Sequence, residues 1–156
     1  MVEAVLPSYV RRPSSRTNRP GQQPTKAFAE VAMTHRILIV DDNDMIRHSV
    51  RACIERNTEW EVCGEAENGK VAVEKVRQLH PDVVILDWQM PVMNGLDAAR
   101  EITRIAPSTS MLMLTLHDSG QLTLDAHAVG IMKVLSKTDG VADHLITSLK
   151  SVWGGN

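Results

Sequence analysis

Cysteine is scarce in this chain. Cys53 and Cys63 stand in neither a CxxC pair nor a metal-ligand spacing, which argues against a disulfide scaffold or a thiolate metal site; both read as buried, reduced thiols. Long apolar runs are missing as well. The longest, such as Ile37–Val40 and Val83–Leu86, fall far short of the roughly 20 apolar residues that a membrane span requires. No signal-peptide core follows Met1, so the expected location is the cytoplasm and no membrane contact is expected. Two phosphate-binding fingerprints are absent too. Where a GxGxxG would follow the first apolar run stands Val40-Asp-Asp-Asn43, which would meet a pyrophosphate with negative charge rather than backbone amides. No GxxxxGK[ST] occurs, and Asn68-Gly69-Lys70 is only a helix start.

What is present is an ordinary globular composition, 43% hydrophobic and 23% charged over 156 residues, with room for one domain and its own core. The net charge of −2 is unevenly spread. Arg11, Arg12, Arg16, Arg19, Lys26 and Arg36 face only Glu3 and Glu30 in residues 1–36, a net +4 that leaves −6 for the rest. An acidic domain behind a basic head is a poor candidate for DNA binding through its folded surface. Residues 1–34, rich in Pro, Ser, Arg and Gln and without apolar periodicity, read as a disordered basic extension. The Arg-rich, acid-poor head has the bias of a transit peptide, but a flexible tail, or a start codon set upstream of Met33, accounts for it better.

From residue 35 the pattern alternates between strand and helix. Ile37–Val40, Val83–Leu86 within the strand Asp82–Leu86, and Met111–Leu114 are continuous apolar runs, as in parallel strands covered on both faces; Glu61–Ala66 alternates like an edge strand, and Lys133–Ser136 is a short last strand. Between them lie helical stripes: Ile46, Val50, Cys53 and Ile54 after a cap at Asn43 or Asp44; Ala72, Val76 and Leu79, stopped by Pro81; Leu96, Ala99 and Ile102; Leu122, Ala126 and Val129 after Ser119; and Val141, Leu145, Leu149 and Val152 from about Asp139. The expectation is a (βα)5 doubly wound parallel sheet.

In such sheets ligands bind beyond the carboxyl ends of the strands, where strand order reverses. The residues there are Asp41 and Asp42, then Asp87, Thr115 and Lys137. One strand-end aspartate is ordinarily a cap or a turn former. Three on one rim repel, by about 4 kcal/mol for a pair 4 Å apart at an effective dielectric near 20. A cation that takes few oxygen ligands and keeps places for water and phosphate, Mg2+, would offset that repulsion. A lysine and a hydroxyl beside it suit a phosphoryl group.

In this order the motifs Ile37-Leu-Ile-Val-Asp-Asp42, Val84-Ile-Leu-Asp-Trp-Gln-Met-Pro-Val-Met-Asn-Gly95, Leu114-Thr-Leu-His-Asp118 and Val134-Leu-Ser-Lys137 resemble the receiver domain of two-component response regulators. The resemblance runs from about Arg36 to Trp153, and Leu114–Asp118 is most similar to the branch that usually carries a C-terminal helix-turn-helix. It implies a flavodoxin-like fold with strand order 2-1-3-4-5 over residues 35–156. It further implies that Asp87 accepts a phosphoryl group from a sensor histidine kinase or histidine phosphotransfer protein. Asp42, Asp87 and the backbone carbonyl of Gln89 would ligate Mg2+, with Asp41 acting through water. Lys137 would contact the phosphoryl oxygens, Gln89 and His117 would tune its lifetime, and Thr115 and position 134 would form the switch. Val134 departs from the pattern, because the family usually places an aromatic there, and Thr138 stands where many receivers have proline.

The chain stops at Asn156 just after the last helical stripe, so the expectation is a stand-alone receiver, or a truncated transcriptional regulator, acting through a protein target or a self-dimer. A pseudo-receiver scaffold that does not use phosphorylation is the alternative. A metal-dependent phosphatase is disfavoured, since the general acid such enzymes carry two residues after the nucleophile is here Gln89. His35, His48, His80, His127 and His144 show no ligand spacing and read as ordinary surface or helix residues.

Overall fold

The computed structural model describes residues 33–57, 59–138 and 140–154. The expected basic extension therefore lies outside the described residues except for Met33 and Thr34, as does the expected helix start at Asp139. Among the described residues, five strands, β1 (His35–Val40), β2 (Trp60–Ala66), β3 (Val83–Leu86), β4 (Ser110–Thr115) and β5 (Lys133–Ser136), alternate with five helices, α1 (Asp44–Ile54), α2 (Gly69–Leu79), α3 (Gly95–Ile105), α4 (Gly120–Ala128) and α5 (Val141–Trp153). All neighbouring strands are parallel, in the order β2-β1-β3-β4-β5, as expected.

Both sheet faces are covered, which is why the central strands read as unbroken apolar runs. Leu38, Val40, Val84, Leu86, Met111 and Met113 point to one face and pack against Ala72, Val73 and Val76 of α2, Ala98, Ala99 and Ile102 of α3, and Leu122 and Ala126 of α4. Their alternates Ile37, Ile39, Val83, Ile85, Leu112 and Leu114 point to the other face, against Val50 and Ile54 of α1 and Leu145 and Leu149 of α5. Asn43 settles as the cap of α1, its side-chain oxygen accepting from the amides of Met45 and Ile46; Asn68, Asn94 and Ser119 cap α2, α3 and α4.

Three sequence expectations need correction. Cys53 and Cys63 are free, as read, but half-buried rather than buried: Cys53 lies in the last turn of α1 and Cys63 on the edge strand β2. His35 is no ordinary surface residue: its ring stacks on Trp153 at 4.0 Å. The edge strand does not alternate evenly. Ile37 pairs with Val62 but Leu38 with Gly64, so Cys63 is the extra residue of a bulge. Beyond it the faces exchange: Trp60 and Val62 belong to the α1–α5 side, Ala66 to the opposite side, and Glu65, paired with Ile39, points toward α1.

The turn from β3 to α3 holds a strained residue. Val92 has φ 69°, a left-handed conformation that a β-branched side chain adopts only at a cost, and it is 77% exposed, so no burial compensates. Val92→Asn is expected to stabilise the fold by about 1 kcal/mol. A urea unfolding midpoint that fails to rise would show that the strain is absent.

Candidate functional site

Strand order reverses between β1 and β3, and α1 and α2 accordingly lie on opposite faces of the sheet. Beyond the carboxyl ends of those strands lies a cleft of about 170 Å3, lined by Asp41, Asp42, Asn43, Ile46, Asp87, Gln89, Thr115, Leu116, His117 and Lys137. Asp41, Asp42, Asp87, Thr115, Lys137, Gln89 and His117 were all expected there; Asn43, Ile46 and Leu116 are additions. Val134 does not line it. That side chain is half-buried in β5, packed toward the core, and borders a separate groove with Lys133, Ser136, Thr138 and His144. A larger groove of about 440 Å3 lies at the opposite end of the sheet, between His35, Trp60 and Trp153, far from the acids.

One carboxylate oxygen from each of Asp41, Asp42 and Asp87 falls within 4.8 Å of the others. Asp41 and Asp87 are buried, while Asp42 is exposed at the mouth. Lys137 lies among them, its ammonium 2.5 Å from Asp41 Oδ2 and 3.2 Å from Asp87 Oδ1. Three carboxylates against one ammonium leave the cleft two charges from neutrality, the charge of a divalent cation. The donor set fits Mg2+: hard oxygens, few in number, with Asp42 at the solvent edge, where water has access.

Backbone geometry holds the acids in place. The amide of Trp88 donates to Asp87 Oδ1 at 2.8 Å, and that of Asn43 to Asp41 Oδ1 at 2.9 Å. The loop after Asp87 folds back so that Gly95 N–H meets the Trp88 carbonyl at 2.8 Å. A Cβ on Gly95 would sit 2.1 Å from the Asp87 carbonyl oxygen, so only glycine permits this return. Thr115 is buried at the end of β4; its hydroxyl accepts from the His117 amide at 3.2 Å and its carbonyl accepts from the Lys137 amide at 2.8 Å.

Burial, the largest influence, pushes the Asp87 carboxyl above the ordinary carboxylate range; Lys137 draws it down and Asp41 pushes it up again. A carboxyl whose folded value is raised adds stability at pH below the unfolded value, and that contribution is lost as pH climbs through the folded one. In chelator at neutral pH, Asp87→Asn is therefore expected to stabilise the metal-free protein by about 1 kcal/mol, less than a bare like-charge pair because Lys137 offsets part of the repulsion. Its stability should also fall less with rising pH than that of the parent. Equal or lower melting temperatures for the variant would contradict the reading of the cleft as electrostatically strained.

Comparison with known proteins follows the same residues. The family model described as "Response regulator receiver domain" matches residues 37–150. A protein-glutamate methylesterase/protein-glutamine glutaminase of Photobacterium profundum is 42% identical over 106 residues, 67% of this chain but 27% of its own length. The transcriptional regulatory protein LnrK of Bacillus subtilis is 35% identical over 120 residues, 77% of this chain and 54% of its own. The crystal structure of the response regulator domain of Thermotoga maritima CheB superposes with a TM-score of 0.73 at 29% identity, covering 79% of this chain and 98% of that one. The chain thus spans about a quarter of the methylesterase relative's length and about half of the regulator's.

Proposed function

The chain belongs to the response regulator receiver family, and from that premise we propose that Asp87 is its phosphoacceptor, within a domain of residues 35–156. The observation that carries the reading is the approach of Asp41, Asp42 and Asp87 to within 4.8 Å, with Lys137 bridging two of them. Asp42, Asp87 and the Gln89 carbonyl would hold Mg2+, with Asp41 acting through water. When bound, the ion offsets the charge of the carboxylates and of the incoming phosphoryl oxygens.

The donor is a phosphohistidine on a sensor histidine kinase or a histidine phosphotransfer protein. A carboxylate oxygen of Asp87 attacks phosphorus, the P–O bond forms as the P–N bond breaks, and the imidazole leaves. Lys137, already on Asp87, neutralises the phosphoryl oxygens. Thr115 supplies the second donor, and its hydroxyl now holds the His117 amide. Turning that hydroxyl toward a phosphoryl group draws on this bond and so couples Asp87 to the β4–α4 turn. New bonds to a charged group contribute roughly 1.5–3 kcal/mol each, and reversing a 1:99 equilibrium takes about 5.5 kcal/mol. Contacts from Thr115 and Lys137 together reach that range. Val134, β-branched and already packed, offers no aromatic side chain to swing, so the readout falls on the Thr115–His117 link and the surface of α4, β5 and α5.

Gln89 and His117, both exposed at the cleft mouth, set how fast water reaches the acyl phosphate. Gln89 has no proton to donate readily, which suits a phosphoryl group held for a time over rapid turnover. The output is a protein target or a second copy of the chain, in the cytoplasm.

With Mg2+ and acetyl phosphate, intact mass is expected to show one added phosphoryl group, absent in Asp87→Asn. Mg2+ at ten times its dissociation constant should stabilise the parent by about 1.4 kcal/mol. If no donor yields an adduct, the chain is an interaction scaffold instead, a reading that Val134 alone favours.

A further inference from the structure

All four polar atoms of Asp41 are engaged. Its amide donates to the Ala66 carbonyl at 3.0 Å. Oδ1 accepts from the Asn43 amide at 2.9 Å and Oδ2 from Lys137 at 2.5 Å. The fourth is its carbonyl oxygen, which accepts from Arg47 Nη1 at 2.7 Å. That carbonyl belongs to the planar peptide unit whose nitrogen is that of Asp42, so holding the oxygen fixes the plane from which the Asp42 side chain departs.

Arg47 is itself held. Its Nε donates to Glu65 Oε2 at 3.0 Å, and Arg51 Nε takes the other oxygen of the same carboxylate at 2.7 Å. The Arg47 side chain is 17% exposed, an unusual burial for a charged group one turn into a helix. Burial, the largest influence, pushes the Glu65 carboxyl up, and the two guanidinium groups outweigh it to leave the carboxyl lowered. Glu65 faces α1 only because the bulge at Cys63 exchanges the faces of β2. The chain thus departs from regular strand pairing to set a carboxylate where it can aim the Arg47 fork.

We propose that Arg47 is a positioning residue for the acceptor site, clamping the Asp41–Asp42 peptide between α1 and Glu65 so that the two acids meet a divalent cation together with Asp87. This rests on the reading of the cleft as a Mg2+-dependent acceptor. Arg47 touches no reacting atom. A planar fork with donors aimed two ways performs the task, and a lysine ammonium, compact and carried on a flexible stem, does not reproduce that fork.

The sign of the effect separates this role from plain charge. As a counter-charge, Arg47 would oppose cation binding, and its removal would tighten Mg2+. As a clamp, its loss weakens Mg2+ even where charge is kept. Titration calorimetry with MgCl2 on the parent, Arg47→Lys, Arg47→Gln and the remote control Arg104→Gln is expected to give dissociation constants about tenfold weaker for both Arg47 variants, the low end of what losing an outer-shell partner of a metal ligand costs. The control should stay within about twofold of the parent. The initial rate of adduct formation from acetyl phosphate should recover at saturating Mg2+, since Lys137 and Thr115 are untouched. Should Arg47→Gln fail to melt cooperatively, Arg47→Lys decides. Parent-like affinity in Arg47→Lys, tighter binding in Arg47→Gln, or a rate that stays low at saturating Mg2+ each overturns the clamp and leaves the acceptor reading standing. A parent that shows neither Mg2+ heat nor adduct overturns the acceptor reading and the clamp with it.

Discussion

An ammonium wedged between two buried carboxylates governs this cleft. Lys137, 8% exposed, contacts both Asp41 and Asp87, and Asp42 completes a set in which acids outnumber the base. Buried ion pairs rarely repay their desolvation cost, and an uncompensated third acid adds to it. The arrangement is a poor way to stabilise a fold and a good way to bind a divalent cation. Lys137 reaches from the end of the edge strand β5 to the ends of β1 and β3, so the charge balance depends on these three strands ending on one rim.

The rim is level because each strand stops at a fixed place. Asp87 N–H joins the Val40 carbonyl and Lys137 N–H the Thr115 carbonyl, so the strand ends are stitched across the sheet by the main chain beyond the last paired residues. Gly95 then lets the β3–α3 loop fold back over the Asp87 carbonyl. The apolar core on both faces supplies the stability that this polar end gives up.

The alternation of five strands with five helices and the five chemically distinctive side chains of the cleft were legible in the sequence, because unbroken apolar runs mark parallel strands and ligands bind beyond their carboxyl ends; the sheet order came only with the resemblance to receiver domains. Neither Arg47 nor the bulge was legible. The turn of Arg47 toward the Asp41 carbonyl depends on Glu65, and the side that Glu65 faces depends on a one-residue pairing shift at Cys63 that alternation alone hides. Arg47 and Arg51 lie four apart on one helix face, a signal that marks a shared partner but cannot say which. The stacking of His35 on Trp153 was hidden for a similar reason: one begins β1, the other ends α5, and no local pattern joins them.

In the proposed acceptor role, strain and function meet in Asp87. A carboxyl raised by burial is a reluctant anion, and a reluctant anion gains more than a solvated one from a cation or from an acyl-phosphate bond that removes the charge from its own oxygens. The same surroundings favour return, since the acyl phosphate would place fresh negative charge beside Asp41 and Asp42. Because the surroundings disfavour the empty and the filled state alike, their effects on the balance between the two partly cancel. Contacts as modest as one threonine hydroxyl and one lysine ammonium can then decide which state the β4–α4 turn reports.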